Sequence, residues 1–174
     1  MDVFGMTTAG AGAVLFVIPI GYIVGNVLFG FISDRFMSSR KRLILILLVL
    51  FLVPLFLLCA WFQPGRTHLL YPAFFALGVF ASGMFLCLSH VKELFPKELA
   101  GTALALSNFC AIGGAAVLQY IMGLLIGRYP RVGLAYPLQA YRDSFYLLLA
   151  GMIFSLIIYY KVAKSDNFKA QTLP

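Results

Sequence analysis

The stretch Gly30–Arg42 reads GFISDRFMSSRKR and places one acid and four bases between two long apolar runs. No charged residue occurs from position 3 to position 33 on one side, or from position 43 to position 62 on the other. About 20 consecutive apolar residues are enough for a helix to cross the hydrocarbon core of a bilayer. The charged stretch is therefore predicted to be a loop between two membrane-spanning helices.

The composition of the whole chain also indicates a membrane protein. Its 174 residues are 62% hydrophobic and 11% charged, with a mean hydropathy of +0.97, far outside the usual range of soluble domains. A net charge of +7 would suggest nucleic-acid binding in a soluble protein, but here the bases lie in short segments between apolar runs. We therefore expect a lipid bilayer as the environment and no nucleic-acid partner.

Five apolar segments are predicted to span the membrane as helices. They cover residues 10–33, 43–62, 69–91, 100–127 and 144–160. The fifth is the shortest, and Pro19 and Pro54 fall inside the first and second, where a proline can kink a helix. The predicted fold is an all-α, polytopic bundle, with one transmembrane domain over residues 1–162 and a cytoplasmic tail over residues 163–174.

The distribution of bases predicts the orientation of this bundle, because short cytoplasmic loops carry more Lys and Arg than translocated loops. The segments after the first, third and fifth spans hold nine bases, and those after the second and fourth hold four. This bias predicts an amino terminus outside and a carboxyl terminus in the cytoplasm. No cleavable signal peptide is evident, since position 2 is acidic where such peptides are basic.

The charged loop has a definite residue pattern in addition to its bases. Gly30 stands four residues before Asp34, Arg35 follows directly, and Arg40 and Lys41 close the loop. This pattern resembles the loop signature G-x-x-x-D-R of the major facilitator superfamily, which lies between the second and third helix of each six-helix half. The four residues between the two arginines make a longer turn than the commonest form, similar to the organophosphate antiporter branch.

A second stretch carries the same resemblance. Residues 93–108, ELFPKELAGTALALSN, look like the entry to the eleventh helix of these transporters, and Gly113, Gly114 and Gln119 continue the similarity. The resemblance implies that the five spans correspond to the eighth to twelfth helices of a twelve-helix carrier. It also implies transport of a small solute by alternating access, in a bacterial inner membrane, with no enzymatic activity.

The same resemblance leaves the seventh helix and the amino-terminal half of such a carrier outside this chain. The chain is then expected to be a fragment that is inactive alone and has the missing half as its partner. The alternative is a free-standing five-span protein that binds or assembles with membrane partners and transports nothing. A membrane enzyme is not favoured, because no cluster of nucleophile, base and oxyanion donors appears in the sequence.

Several glycines are predicted to be sites of close helix packing, because a residue without a side chain lets two transmembrane helices approach. Gly21 and Gly25 form a G-x-x-x-G pair, and with Gly30 they are expected to face helices that the chain does not encode. The fourth span offers three further packing candidates: Gly101, Gly113 and Gly114.

Asp34 has two possible interpretations. The resemblance implies that the acid of this loop bridges to the opposite six-helix half and holds one conformation of the transport cycle closed, so that the loop of Gly30, Asp34, Arg35, Arg40 and Lys41 acts as a conformational switch. In the other interpretation Asp34 is a solvated acid paired with Arg35 or Arg40. In both, Asp34 carries out no covalent chemistry.

Four polar residues inside the spans are candidates for a substrate cavity. Tyr22 and Asn26 are four apart on the first span, and Asn108 and Gln119 share a face of the fourth. Amides are costly against lipid, so they should face other helices or an aqueous cavity. They serve either as interhelical hydrogen-bonding groups or, as the resemblance implies, as substrate contacts.

No cofactor or metal site is expected from the sequence. The three cysteines at positions 59, 87 and 110 have neither the spacing of zinc ligands nor a plausible disulfide pattern. They are predicted to be small core residues. No Asp, Glu, Lys or Arg lies deep in any predicted span, so this chain offers no buried ionisable group for ion coupling.

Overall fold

The computed structural model describes residues 4–36, 40–61, 67–131, 133 and 135–172, with side chains up to Lys161 apart from Phe36 and Trp61. This part of the chain is almost entirely helical. Its helices are α1 (Thr8–Phe36), α2 (Arg40–Trp61), α3 (Leu70–Ala81), α4 (Gly83–Leu94), α5 (Lys97–Gly127) and α6 (Leu138–Thr172). A 3-10 turn, Thr67–Leu69, leads into α3.

Five helical segments are long and apolar enough to cross a membrane, with α3 and α4 together forming the third. The segments are Thr8–Arg35, Arg40–Ala60, Thr67–Leu94, Lys97–Gly127 and Leu138–Lys161. The all-α, five-span fold predicted from the sequence is therefore confirmed. Pro19 and Pro54 lie inside α1 and α2 without ending either helix.

The prediction that the fifth span is the shortest is wrong. It has 24 residues, against 21 in the second, and α6 is the longest helix described, with 35 residues. The sequence placed its start after Arg142 and Asp143, but both charges lie within the first two turns of α6. A charged residue near the end of a span can reach water, so it does not have to end the helix.

Helices α1 and α3 cross at glycines on both sides. A Cβ atom added to Gly21 or Gly25 would lie under 3.0 Å from the carbonyl oxygen of Phe75 or Val79, and one added to Gly78 would collide with Ile18 O. The two backbones are therefore in direct contact, as in other transmembrane pairs that meet at small residues. The expectation that Gly21 and Gly25 face helices outside the chain is wrong, because α3 of the same chain occupies that face.

Two apolar clusters fill the space between α1, α2 and the third span. Near one end, Phe29 of α1 packs with Leu43, Ile44 and Leu47 of α2 and with Leu86 of α4. Near the other end a smaller cluster joins all three spans, and its buried members are Val14, Leu58 and Leu70. Because α2 contributes to both clusters and also contacts α6, it is the central helix of the bundle.

Helix α5 lies at the edge of the bundle and is almost wholly exposed. Ala100 is its only buried residue, although α5 packs against α4 and α6. A Cβ atom at Gly101, Gly113 or Gly114 would meet no atom within 4 Å, and the same holds for Gly30 of α1. These glycines have no close helix neighbour within the described part of this chain.

The cysteines do not all lie in the core. Cys59 is fully buried and Cys87 packs against the Phe29 cluster, but Cys110 is exposed on α5. The expectation of a core position is therefore wrong for Cys110, because α5 presents this flank to no other described helix.

The third span is interrupted at Ser82. The Ser82 hydroxyl donates a 2.6 Å hydrogen bond to Val79 O, and Phe85 N donates to Ser82 O at 3.0 Å, a spacing of three residues rather than four. Serine bonded to its own helix backbone commonly bends a transmembrane helix. The first piece, α3, packs chiefly against α1, whereas α4 packs against α5 and α2.

Candidate functional site

One arginine joins the ends of three helices at the end of the bundle that holds the α1–α2 connection. Arg40, the first residue of α2, places Nη2 3.6 Å from Asp34 Oδ1 and Nη1 3.1 Å from Glu93 Oε1. Asp34 lies near the end of α1, and Glu93 is in the last turn of α4. We call Asp34, Arg40 and Glu93 the charge cluster.

The charge cluster is held weakly because it is solvated. The side chains of Asp34 and Glu93 are 75% and 53% exposed, and that of Arg40 is 31% exposed. An ion pair in this setting contributes about 0.2–1 kcal/mol, since water screens both charges and the side chains lose freedom. Contacts of this strength can break and form again without unfolding the helices that carry them.

The geometry bears on both interpretations of Asp34. The pairing with Arg40 is present, while the Arg35 guanidinium carbon lies 5.8 Å from the centre of the Phe31 ring. Lys41 is half-buried at the start of α2. The bridge from Asp34 to an opposite half involves residues outside this chain and stays a prediction.

Sequence reasoning did not connect Glu93 with Arg40, although both were predicted on the cytoplasmic side of the membrane. Glu93 lies 53 positions after Arg40, so no local spacing links them. The available signal was that Glu93 is the first acid after the third span, while Arg40 opens the second. Adjacent ends of neighbouring spans bring such residues together.

The four cavity candidates are not brought into one site by the described part of the chain. Tyr22 is half-buried, and its ring lies 5.7 Å from that of Phe85, centre to centre. Asn26 is also half-buried, whereas Asn108 and Gln119 are exposed on α5. Since α1 packs chiefly on α3, and α5 packs on α4 and α6, a cavity shared by all four stays a prediction.

A second polar cluster lies at the opposite end of the bundle, where α5 connects to α6, and sequence analysis missed it. The Tyr129 hydroxyl donates a hydrogen bond to Asp143 Oδ2, and Gln139 Nε2 donates to Asp143 Oδ1 at 2.9 Å. The bond to Asp143, then partial burial and the carboxylate charge, raise the pKa of Tyr129. A tyrosine hydroxyl is protonated at neutral pH, so Tyr129 acts as the donor in this bond.

This cluster joins the start of the α5–α6 connection, at Tyr129, to the second turn of α6, at Asp143. Within the connection, Gly133 adopts a positive φ of 67°, a conformation that favours glycine. The Arg131 guanidinium carbon lies 5.0 Å from the centre of the Tyr136 ring, a cation–π geometry. The connection is thus held by side-chain contacts at both of its ends.

Among the residues that the structure describes, no group of three or more His, Cys, Asp or Glu side chains could hold a metal ion. The arrangement instead offers two solvated polar clusters at opposite ends of an apolar bundle.

Comparison with known proteins gives a family and one relative. The sequence profile of the Major Facilitator Superfamily matches residues 1–172. A glycerol-3-phosphate transporter of Bacillus subtilis (strain 168) is 35% identical over 112 residues, which are 62% of this chain and 24% of that transporter. No solved structure matches the chain.

Proposed function

The chain belongs to the major facilitator superfamily, and from that premise we propose that it forms most of one six-helix half of a carrier for a small solute. Its five spans would be the eighth to twelfth helices, and the seventh helix and the amino-terminal half would complete the carrier. Two halves with substrate bound between them near the bilayer midplane alternate access by rocking against each other.

One observation carries this proposal: α5 is largely exposed, with Ala100 as its one buried residue, although it bears polar residues. Asn108 and Gln119 share a face of α5 and are both exposed. An amide side chain facing lipid is unfavourable, since nothing there can bond it. In the complete carrier this face of α5 would line the substrate path, with Tyr22 and Asn26 of α1 as further candidates.

We infer that the solute is a small phosphate ester or a related organic anion. Support comes from the similarity to a glycerol-3-phosphate transporter. The four-residue turn between Arg35 and Arg40 also supports it, because its length is similar to that of the organophosphate antiporter branch. The matched segment is 24% of that transporter, so its substrate is carried over as a proposal only.

Uptake by proteoliposomes that contain the complete carrier tests the proposal. We expect saturable uptake of sn-glycerol 3-phosphate that other phosphate monoesters compete with and that glycerol does not. If a neutral solute competes with this uptake and phosphate monoesters do not, the proposed substrate class is contradicted. Absence of saturable uptake of any small solute, charged or neutral, would contradict the proposed function.

We further propose that the charge cluster faces the cytoplasm of a bacterial inner membrane, with the α5–α6 connection outside. This orientation follows the excess of bases at the end of the bundle that holds Arg40.

The orientation makes a labelling prediction. A cysteine at Ser38 or Ser39, which lie outside the described residues, should react with an impermeant thiol reagent only from the cytoplasmic side. A cysteine at Gln139 should react only from the opposite side, because Gln139 is exposed in the first turn of α6. Labelling in the reverse pattern would overturn the orientation and the assignment of the loops.

The charge cluster is proposed to act as a conformational contact, and a set of variants tests this role. Asp34→Asn keeps the side-chain volume but removes the charge that Arg40 binds at 3.6 Å. We expect the transport rate of the complete carrier to fall about twofold to fivefold, because an exposed ion pair is worth up to about 1 kcal/mol. Glu98→Gln, which removes an acid outside the cluster, is the matched control. Equal rates for Asp34→Asn and the parent carrier, at equal insertion, would reduce the loop to a topology signal.

One observation supports the alternative of a free-standing five-span protein. Because Gly21 and Gly25 face α3, the remaining surface of α1 is apolar enough to face lipid, with Phe16, Ile23 and Val27 all more than 60% exposed. The exposed Asn108 and Gln119 of α5 weigh against lipid on that side. A chain that stays monodisperse and folded in detergent, and does not bind the amino-terminal half, would favour the alternative.

A further inference from the structure

The α5–α6 connection, which we propose lies on the non-cytoplasmic side of the membrane, carries more positive charge than is usual for a loop on that side. Residues 128–143 contain Arg128, Arg131 and Arg142 against a single acid, Asp143. Translocated short loops are normally poor in bases, because bases bias a loop toward the cytoplasm. Two arginines in this connection and a third in the second turn of α6 therefore need a reason other than topology.

The two sides of the membrane also differ in the type of base that they carry. The four bases predicted on the non-cytoplasmic side are all arginines, at positions 66, 128, 131 and 142, whereas all six lysines lie on the predicted cytoplasmic side. Arginine presents a planar fork of N–H donors that matches the oxygens of a phosphate, while lysine presents a single point charge. The side opposite the charge cluster thus carries the base suited to phosphate groups.

The structure keeps two of these arginines available. Arg128 and Arg131 are both exposed. Arg128 caps the carboxyl end of α5. The Arg131 guanidinium carbon lies 5.0 Å from the centre of the Tyr136 ring, a cation–π contact, and the exposed side chain stays accessible to an anion. From the end of α5 to the second turn of α6, Asp143 is the one acid in the sequence, and its two oxygens accept hydrogen bonds from the neutral donors of Tyr129 and Gln139.

We propose that Arg128 and Arg131 form an anion-attracting rim, which raises the local concentration of a phosphate-bearing substrate at the outer mouth of the carrier. Tyr129, through its bond to Asp143, is a positioning residue that holds this rim in place. The proposal rests on the proposed function and orientation. Charged clefts of one sign increase encounter with opposite charges, and the effect falls as salt screens the field.

The first test measures substrate affinity in the complete carrier. In Arg128→Gln/Arg131→Gln, we expect KM for external sn-glycerol 3-phosphate to rise about tenfold near 10 mM salt, the lower end of the range for electrostatic steering. At about 150 mM salt, where the Debye length is about 8 Å, most of this difference should vanish. Lys97→Gln/Lys161→Gln removes the same charge at the opposite end of the bundle and should leave KM unchanged. Equal KM values for the rim variant and its parent at low salt would overturn the proposal.

Phosphate groups of lipids could bind the same arginines, so the vesicles must separate the two sources. The rise in KM is expected in vesicles of pure phosphatidylcholine, which carry no net charge. An effect that appears only when anionic lipid is added would overturn the proposal and assign the arginines to lipid headgroups.

A second test does not depend on transport. A cysteine at Pro130, between the two arginines and exposed, should react faster with an anionic methanethiosulfonate than with a cationic one. The rim variant should lower that rate ratio about tenfold at low salt, and the parent chain without this thiol gives the background. An unchanged ratio would overturn the rim whether or not the carrier transports phosphate esters, so the two proposals can fail separately.

Discussion

Replacing Gly78 with alanine is expected to destabilise the bundle by about 1–3 kcal/mol, the usual effect of forcing an extra group into a close-packed contact. The new methyl group would collide with the carbonyl oxygen of Ile18 and lie 3.0 Å from the backbone nitrogen of Tyr22. Backbone atoms cannot rotate away as the end of a side chain can, so α1 and α3 must separate. Gly21→Ala and Gly25→Ala should act in the same direction, since both also meet backbone oxygens of α3.

Reversible unfolding in a titration with denaturing detergent measures this effect, and Gly123→Ala is its matched control. A Cβ atom at Gly123 would meet no atom within 4 Å. That variant should be neutral or stabilising by up to about 1 kcal/mol, because alanine favours a helix more than glycine does. If both variants shift the unfolding midpoint equally, the α1–α3 crossing described here is not the contact that limits stability.

The second large effect concerns transport by the chain alone. We expect no saturable uptake in liposomes that contain only these five spans, and uptake when the amino-terminal half and the seventh helix are supplied with them. The exposed polar face of α5 then has a partner, so the same co-expression should increase the resistance of α5 to protease. The α1–α3 contact is complete within the chain, so these two helices should stay packed in both preparations.

Variants on α5 locate the effect. Asn108→Leu or Gln119→Leu should abolish most uptake by the complete carrier, because each removes a polar group from the face proposed to line the substrate path. Cys110→Leu changes an exposed residue that is 200° around the helix from Asn108 in an ideal α-helix with about 3.6 residues per turn, and it should transport normally. Saturable uptake by the chain alone, lost in Asn108→Leu, would refute the need for another half.

The spans could be predicted because hydropathy is a local property of the sequence. The helix that packs against each span could not be predicted. The G-x-x-x-G pair at Gly21 and Gly25 indicates a close approach but carries no information about which helix approaches, and the decisive Gly78 stands in α3 without a repeating pattern. The start of α6 was misplaced because Arg142 and Asp143 were read as a boundary, although they lie at a helix end that can reach water.

The two polar clusters differ in how far the sequence could predict them. Asp34 and Arg40 are six positions apart, on either side of the α1–α2 connection, so their pairing was one of the interpretations that residue types and spacing allowed. Glu93 joins them only because α4 returns to the same end of the bundle. The bond between Tyr129 and Asp143 depends on the course of the α5–α6 connection, which no periodicity describes.

The position of Arg40 gives its two acids a further task. Arg40, Lys41 and Arg42 form the first turn of α2, which contains no acid, and the positive end of the helix dipole repels cations there. The carboxylates of Asp34 and Glu93, reaching Arg40 from α1 and α4, supply the negative charge that a helix start normally has in its own first turn. A movement that withdraws both acids would therefore leave Arg40 facing the positive end of the dipole without its two carboxylates, and the first turn of α2 is then expected to fray.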